Sequence, residues 1–202
     1  MQHDYLVIGH ICLDRQPDGN LIPGGTALYG AVQAARLGLR TGVLSAGNAR
    51  ALAGPMAPYR DEFDVDLHDS PETTIFINVG VGAARKQSVD GWAGVIPLAG
   101  RALDAPIIHL GPIAREIDLE TLPIFPEGAF VGATPQGWLR RWGADGRVSE
   151  HPLELPTALT GRLDALVLSE TEAPKAEAAI AAVRAAGGLV AITRGSSACL
   201  LL

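Results

Sequence analysis

Acidic and hydroxyl side chains follow several of the apolar runs of this sequence, where a folded chain could bind a polar ligand. Asp14 comes shortly after the first run, and Ser169 and Glu172 follow a later one. A carboxylate such as Asp14 can accept hydrogen bonds from two neighbouring hydroxyl groups of a polyol. A carboxylate at Glu172 can orient water on a Mg²⁺ ion that is bound to phosphates. Two plainer interpretations stay open, because Asp14 could be a solvated loop residue and Ser-x-x-Glu is also the capping box of a helix.

Two glycine turns could bring a ligand close to the backbone. Gly24-Gly25 stands directly before a predicted helix, whose apolar residues recur at i, i+3, i+4 and i+7 and which ends at Gly38. The N–H groups at a helix start are unpaired, and glycine has no Cβ atom to keep a ligand oxygen away. Thr193-Arg194-Gly195-Ser196 places a hydroxyl and a guanidinium beside a glycine, which suits a nucleotide phosphate. Either turn could instead be ordinary chain punctuation.

The composition is that of an acidic globular protein. The 202 residues are 48% hydrophobic and 19% charged, and the net charge is −6. This length favours one domain, and the negative charge gives no footprint for nucleic acid or for an anionic membrane. No apolar run reaches the roughly 20 residues that cross a bilayer, and no secretory signal is visible. Cys12 and Cys199 lie in apolar stretches, so we expect reduced core thiols, which fits a cytoplasmic protein. From the negative charge and the absence of a spanning run we expect no nucleic-acid or membrane partner.

Short apolar runs separated by helical or polar segments predict an α/β fold with a mainly parallel sheet. The first run, Tyr5–Ile8, is followed by the helix and by a second run at 41–45, a unit that implies parallel pairing and a right-handed connection. Residues 174–186 form the clearest further helix. The remaining runs of this kind lie at 106–110, 129–132, 165–168 and 189–193. The chain ends within another apolar run, which favours the first part of a longer fold.

Residues 73–92 do not follow this alternation of apolar runs with helical segments, and their pattern predicts an antiparallel hairpin. Residues 73–79 are β-branched and aromatic, Gly80-Val81-Gly82 interrupts them, and alternation resumes at 85–89. A second, smaller hairpin is predicted around Asp145-Gly146.

Taken in chain order, these motifs resemble those of the PfkB/ribokinase family of carbohydrate kinases. Within that family, residues 134–140 and the hairpin with Arg85 and Gln87 are most similar to the branch of plant myo-inositol kinase-like proteins. The resemblance rests on the ordered set Gly9…Asp14, Gly24-Gly25 before a helix, the hairpin, Ser169-x-x-Glu172 and Thr193-x-Gly195.

The resemblance implies a ribokinase-like three-layer α/β sandwich, with residues 1–202 as one incomplete domain and lid strands at about 15–23 and 73–92. It implies phosphoryl transfer from ATP, with Mg²⁺, to a hydroxyl of a sugar or cyclitol. The lid edges could pair in a homodimer. The implied site residues are Asp14, Gly24, Gly25 and Gln87 for the substrate, Ser169, Thr193 and Gly195 for the nucleotide, and Glu172 for the metal.

Departures from the family pattern keep a second hypothesis open. Cys12, Tyr29 and Ser169 stand where the family has Asn. The family's Gly-Ala-Gly-Asp segment, which supplies an anion hole and the catalytic base, is expected beyond Leu202. We therefore expect the chain as given to be inactive alone, and the alternative is a non-catalytic binding or scaffold protein of the same fold. A dinucleotide-dependent oxidoreductase is disfavoured, because the glycine fingerprint is absent.

Overall fold

The computed structural model describes residues 2–80 and 86–202, and in this part of the chain the strands form two main sheets and one small hairpin. In chain order the strands are β1 (Tyr5–Ile8), β2 (Cys12–Arg15), β3 (Leu21–Gly24), β4 (Thr41–Gly47), β5 (Asp64–Asp69), β6 (Ile75–Val79), β7 (Lys86–Gly91), β8 (Ile107–Leu110), β9 (Phe130–Ala133), β10 (Arg140–Trp142), β11 (Val148–Glu150), β12 (Ala165–Ser169), β13 (Leu189–Arg194) and β14 (Ser197–Leu201). The helices are α1 (Thr26–Arg36), α2 (Ala49–Ala53), α3 (Gln136–Leu139), α4 (Thr157–Thr160) and α5 (Glu177–Ala185).

The central sheet has the strand order β14-β13-β12-β9-β8-β1-β4-β5. Every pairing in it is parallel except that of β14 with β13. Successive side chains of a strand point to opposite faces, and the two faces carry separate cores. Ile8 belongs to the core that includes α5, whereas Val7 belongs to the core that includes α1. The predicted three-layer α/β sandwich with a mainly parallel sheet is confirmed.

The second sheet, which we call the lid, has the order β3-β2-β6-β7. Strands β2 and β6 pair in parallel, and the two outer pairs are antiparallel. Only three residues separate the end of β1 from β2, so the chain enters the lid at Cys12. Asp14 therefore lies within a paired strand opposite Ile22 and Phe76, which excludes the interpretation as a solvated loop residue. The predicted position of Arg85 lies outside the described residues.

The small hairpin of β10 and β11 reaches the lid through its turn. The N–H of Val89 donates to the carbonyl of Gly146 at 2.8 Å, and Ser88 forms a bridge with Arg147. Gly146 has φ +69°, and a Cβ atom there would lie 2.4 Å from the oxygen of Val89. Glycine is therefore required at this turn, both by its backbone conformation and by the close approach of the lid.

Three further details differ from the sequence-based expectations. Strand β5 was not predicted, because its alternating acidic and apolar residues, at the edge of the sheet, resemble a surface segment. The helix expected at 174–186 begins only at Glu177, since residues 173–175 form a 3₁₀ turn and Ala176 has φ −121°. Cys12 is buried as expected, but Cys199 lies exposed on β14 and is not a core thiol.

In the described residues no helix has the length and apolarity that crossing a membrane requires.

Candidate functional site

A small pocket lies where the chain passes from β1 into the lid, and we call it the carboxylate pocket. Its volume is about 170 Å³. Its lining combines polar groups from the lid with the start of α1 and the segments after β8 and β9. The lining residues are Cys12, Asp14, Gly25, Thr26, Tyr29, Phe76, Gln87, Ile113, Gln136 and Arg140.

The carboxylate of Asp14 is oriented by a chain of amides on the lid. Asn78 Nδ2 donates to Asp14 Oδ1 at 3.0 Å, and Gln87 Nε2 donates to Asn78 Oδ1 at 2.8 Å. Both predicted substrate residues, Asp14 and Gln87, thus belong to one hydrogen-bonded array. Asn78, which links them, was not predicted. Polar residues are common near the turn of a β-hairpin, so the sequence alone does not mark this Asn as a ligand-site residue.

The paired glycine allows the backbone to approach this carboxylate closely. A Cβ atom at Gly24 would lie 2.7 Å from Asp14 Oδ2. Gly25 has φ +98° at the start of α1, and a Cβ atom there would lie 2.6 Å from the oxygen of His10. The N-cap residue Gly25 has no side chain, so it gives the first N–H groups of α1 no side-chain cap. Gly24 supports the carboxylate, whereas Gly25 lines the pocket itself.

A buried acid, Glu116, holds the backbone of Ile113, which lines the carboxylate pocket. Its side chain is fully buried and accepts the N–H groups of His10 at 2.8 Å, Ile113 at 2.9 Å and Ala114 at 2.6 Å. These donors belong to the segments after β1 and after β8, so one carboxylate joins the two. Sequence reasoning missed Glu116, because it follows Arg115 in a polar-looking segment that is typical of a solvated loop.

His10 and Cys12 are both buried and uncharged at the base of the lid. His10 Nδ1 lies 2.8 Å from Thr74 Oγ1, which also accepts the N–H of Ala93 at 3.1 Å. This contact joins the end of β1 to the start of β6 and to the end of β7, the two strands of one lid hairpin. Burial lowers the pKa of His10, although the charge of Glu116 opposes the shift. Burial, reinforced by Asp14, raises the pKa of the Cys12 thiol, so Cys12 presents a neutral thiol to the pocket.

A larger pocket of about 670 Å³ adjoins the first, and we call it the cationic pocket. Four basic side chains line it together with two acidic ones, of which Glu150 is bound to Lys175 at 2.6 Å. Lys86 comes from the lid and Arg147 from the turn of the small hairpin. Its lining residues are Lys86, Gln87, Gln136, Arg140, Arg147, Val148, Glu150, Ser169, Thr171, Glu172 and Lys175. Three of them, Gln87, Gln136 and Arg140, also line the carboxylate pocket.

Ser169 and Glu172 line the cationic pocket, as a phosphate-binding role requires. Glu172 Oε2 accepts from both the N–H and the hydroxyl of Ser169, each at 2.8 Å. The structure therefore contains half of the capping box that was the plainer interpretation. Mg²⁺ binds commonly through one or two carboxylates, several waters and substrate phosphates. Glu172 beside a pocket for phosphates fits that pattern, although no group of three or more potential metal ligands converges among residues 2–80 and 86–202.

The other two predicted nucleotide residues lie elsewhere. Thr193 is exposed at the end of β13, with its hydroxyl 3.4 Å from the oxygen of Leu168. Gly195 has φ +55° in the turn between β13 and β14. Neither residue lines the cationic pocket as the described residues form it, and their role at a nucleotide stays a prediction.

Comparisons with solved structures identify the architecture. A pyrophosphate-dependent kinase in the ribokinase family, complexed with a pyrophosphate analog and myo-inositol, superposes with a TM-score of 0.76 at 19% identity, over 98% of this chain and 75% of that one. The chain has a ribokinase-like fold.

Other solved structures of this fold are similarly related. A ribokinase from Arabidopsis thaliana, complexed with ribose and ATP, has a TM-score of 0.61 at 17% identity, over 100% of this chain and 75% of that one. A pyrophosphate-dependent myo-inositol-1 kinase, converted into a myo-inositol-3 kinase by two substitutions, has a TM-score of 0.74 at 18% identity, over 98% and 73%. No family model and no curated protein sequence matches the chain. The ribokinase-like fold, expected from the ordered motifs, thus rests on structural similarity at low identity.

Proposed function

We propose that this protein is an ATP-dependent kinase that transfers the γ-phosphoryl group to a hydroxyl of a sugar or cyclitol. One observation carries the proposal: the carboxylate pocket and the cationic pocket adjoin and share Gln87, Gln136 and Arg140. A polyol that is bound to Asp14 would present a hydroxyl toward phosphates in the cationic pocket. Phosphoryl transfer depends mainly on such positioning and on charge stabilisation.

The size and chemistry of the carboxylate pocket support a small polyol as acceptor. Its 170 Å³ is well below the roughly 300–1,000 Å³ of pockets for drug-sized ligands, which favours a single ring over a nucleoside. The carboxylate of Asp14 and the amides of Gln87 and Gln136 line this pocket, and such groups can accept from and donate to hydroxyls. Similar structures contain myo-inositol or ribose, and both are small polyols.

The cationic pocket supports a polyphosphate donor. Lys86 approaches it from the lid and Arg147 from the small hairpin, and Ser169 and Glu172 line it from the segment at and after the end of β12. Mg²⁺, when bound, supplies additional neutralisation of the phosphate charge. Similar structures contain ATP in one case and a pyrophosphate analog in another, so both donors belong in the test of this proposal.

Calorimetry on the 202-residue chain can test the acceptor assignment, with myo-inositol, other cyclitols and ribose as probes. The Asp14→Asn variant should weaken acceptor binding by about 10- to 100-fold, since hydrogen bonds to a charged group contribute about 1.5–3 kcal/mol. Binding of pyrophosphate should change far less. Asp18→Asn, in the exposed turn of the first lid hairpin, is the matched control and should behave as the wild type. Equal acceptor binding by wild type and Asp14→Asn would refute the assignment of Asp14.

Phosphorus NMR can then test transfer, with ATP and Mg²⁺ or with pyrophosphate as the donor. Formation of a phosphomonoester of the bound polyol would establish a kinase. Binding of the polyol without transfer from either donor, by a protein that includes the family's Gly-Ala-Gly-Asp segment, would instead favour the non-catalytic binding protein. The neutral thiol of Cys12, where the family pattern has an amide, is the observation that favours this second candidate.

A further inference from the structure

All three tryptophans of the chain, Trp92, Trp138 and Trp142, line one pocket, which we call the tryptophan pocket. Its volume is about 530 Å³, within the roughly 300–1,000 Å³ that is typical of sites for small organic ligands. As the described residues form them, it shares no lining residue with the carboxylate pocket or the cationic pocket. The proposed phosphoryl transfer therefore gives this pocket no role.

Two of the indole rings are held by the backbone of one segment, the residues that follow β8. Trp92 Nε1 donates to the oxygen of Ala114, and Trp138 Nε1 donates to the oxygen of Ile117, each at 2.8 Å. The rings of Trp92 and Trp142 pack edge to face, with their centroids 6.0 Å apart and an angle of 69° between their planes. Trp92 remains 36% exposed, so its ring offers surface to a further planar group. Aromatic walls that are already fixed suit a planar ligand, because little side-chain freedom is lost when it binds.

Two guanidinium groups at this pocket have no acidic partner. Within residues 2–80 and 86–202, neither Arg115 nor Arg141 forms an ion pair. Arg141 Nη1 donates to the oxygens of Trp138 and Arg140 at 2.7 and 2.8 Å, which leaves its Nε and Nη2 groups for a ligand. Burial lowers the pKa of Arg141, and the charge of Arg115 lowers it further, by more than the charge of Glu154 raises it. An anion bound here would compensate this excess of positive charge.

Arg115 has a strained backbone at the point where it lines the pocket. Its φ is +61°, and among the described residues it is the only one other than glycine with a positive φ. The carboxylate of Glu116 accepts the N–H groups of Ile113 and Ala114 and so closes a tight turn around it. Glycine or asparagine adopts this conformation more readily, and strained residues are concentrated at functional sites. An arginine at such a position indicates a use for its guanidinium.

The acidic side chains of the pocket do not neutralise these two cations. Asp118 accepts the N–H of Glu120 at 3.0 Å and the hydroxyl of Thr121 at 2.9 Å, within its own turn. Glu120 and Glu154 are exposed to solvent, where their charges are screened. An anionic ligand is therefore favoured when its charge is directed at the two arginines.

We propose that the tryptophan pocket is a second ligand site, which binds a small planar aromatic anion. The ring of the ligand packs against Trp92 and Trp142, and its anionic group is bound by Arg115 and Arg141. Ring contacts and charge-assisted hydrogen bonds are each modest, so a ligand that offers both binds more tightly than one that offers either. The site does not depend on the proposed kinase function, and either can fail without the other.

NMR titration of the 202-residue chain tests the site, because all of its indole N–H signals arise from this pocket. Phenyl phosphate is the probe, and inorganic phosphate and benzyl alcohol present its charge and its ring separately. Phenyl phosphate should shift the indole signals of Trp92 and Trp142 and should bind about tenfold or more tightly than either of the two partial probes. Benzoate places a carboxylate on the same ring, and its affinity relative to phenyl phosphate identifies the preferred anionic group.

Single substitutions connect this binding to the two arginines. Arg115→Gln and Arg141→Gln should each weaken the binding of phenyl phosphate by about tenfold. Arg50→Gln makes the same change of charge at an exposed residue of α2 that does not line the pocket, and it should bind as the wild type does. Circular dichroism reports folding, and if Arg141→Gln is unfolded the decision falls to Arg115→Gln, whose side chain is exposed.

Four outcomes would overturn the inference. The indole signals could stay unmoved by both aromatic anions at millimolar concentration, or benzyl alcohol could bind as tightly as phenyl phosphate. Shifts confined to residues of the cationic pocket, such as Lys86, would place the phosphate there instead. Wild-type affinity in folded Arg115→Gln, or an equal loss of affinity in Arg50→Gln, would show that the arginines of the pocket do not bind the anion.

Discussion

His109 lies between two hydroxyl groups beneath helix α1, at the middle of the central sheet. Its Nδ1 is 2.5 Å from the phenol oxygen of Tyr5, and its Nε2 is 2.9 Å from Thr134 Oγ1. A neutral imidazole satisfies both contacts, because it accepts at one nitrogen and donates at the other. The three residues belong to or follow β1, β8 and β9, so this network ties together strands whose ends carry the site.

Burial sets the charge state of this network and gives a prediction about pH. Burial lowers the pKa of His109 from 6.5 to about 4 and raises the pKa of Tyr5 above its usual range. Between pH 6.5 and 4 the unfolded chain therefore binds a proton at this histidine that the folded chain does not. The unfolding free energy should fall as the pH decreases through this window, by roughly 3 kcal/mol in total from His109.

Urea unfolding at several pH values checks this prediction. His109→Gln should lose most of the decrease between pH 6.5 and 4, while the lowered pKa of His10 maintains a remainder. His151→Gln, which changes an exposed histidine, is the control and should keep the wild-type slope. Identical slopes for the two variants would show that His109 does not bind its proton more weakly in the folded state.

At the scale of residues, sequence reasoning named three of the residues that line the carboxylate pocket. Gly25 was named because it precedes a helix, Asp14 because it follows an apolar run, and Gln87 only through the resemblance to the family. Glu116 and Arg140 could not be assigned, because the contacts that define their roles join segments far apart in the chain. Glu116 accepts an N–H from a residue 106 positions away, and one sequence contains no record of that approach.

The contact between the lid and the small hairpin decides where the cationic side chains stand. Strand β7 supplies Lys86, and the hairpin turn that pairs with β7 supplies Arg147. The turn is held by the hydrogen bond from Val89 to Gly146, so one wall of the cationic pocket depends on a turn that only glycine allows. Displacement of the turn would separate Lys86 from Arg147.

Gly146→Ala tests this dependence. The new Cβ atom would clash with the oxygen of Val89, and an L-residue at φ +69° costs about 1–2 kcal/mol in addition. The amide of Val89 should exchange with solvent about tenfold faster or more, and pyrophosphate should bind more weakly. Hydrogen exchange followed by NMR, together with calorimetry, measures both effects.

Gly143→Ala is the matched control for this change. A Cβ atom at Gly143 would meet Asp145 Oδ1 at 3.8 Å, an ordinary contact, and the residue has no positive φ. It should leave both the exchange of Val89 and the binding of pyrophosphate unchanged. Unaltered exchange in Gly146→Ala would mean that the turn does not hold the lid.

At the scale of elements, apolar runs predicted the buried parallel strands well, since a strand covered on both faces reads as a continuous hydrophobic stretch. Strand β5 was not predicted, because it lies at an edge of the sheet and its acidic residues alternate with apolar ones instead of forming a continuous apolar run. The boundary of α5 was also misplaced, because the chain around Glu172 forms a local 3₁₀ turn first. The first difference arises from the position of β5 at the sheet edge, and the second from a local turn that precedes the helix.

At the scale of the whole molecule, strand β3 forms one edge of the lid. Within the described residues no strand pairs with the outer side of β3, whereas the small hairpin partly covers the outer side of β7. Ile22 on β3 is 50% exposed. Exposed strand edges bind other strands readily, and a twofold symmetric dimer would pair the two copies of the same edge. We therefore expect a homodimer that forms through β3 of the lid.

Sedimentation velocity over rising protein concentration tests this expectation, and the wild type should shift from monomer to dimer. Ile22→Lys should keep the protein monomeric, because a charge on an edge strand opposes pairing. The control is Val65→Lys on β5, an edge strand of the central sheet on which Val65 is 42% exposed. It should leave the dimer intact. A wild type that stays monomeric at high concentration would refute the dimer, and loss of the dimer in Val65→Lys alone would place the interface at the central sheet instead of the lid.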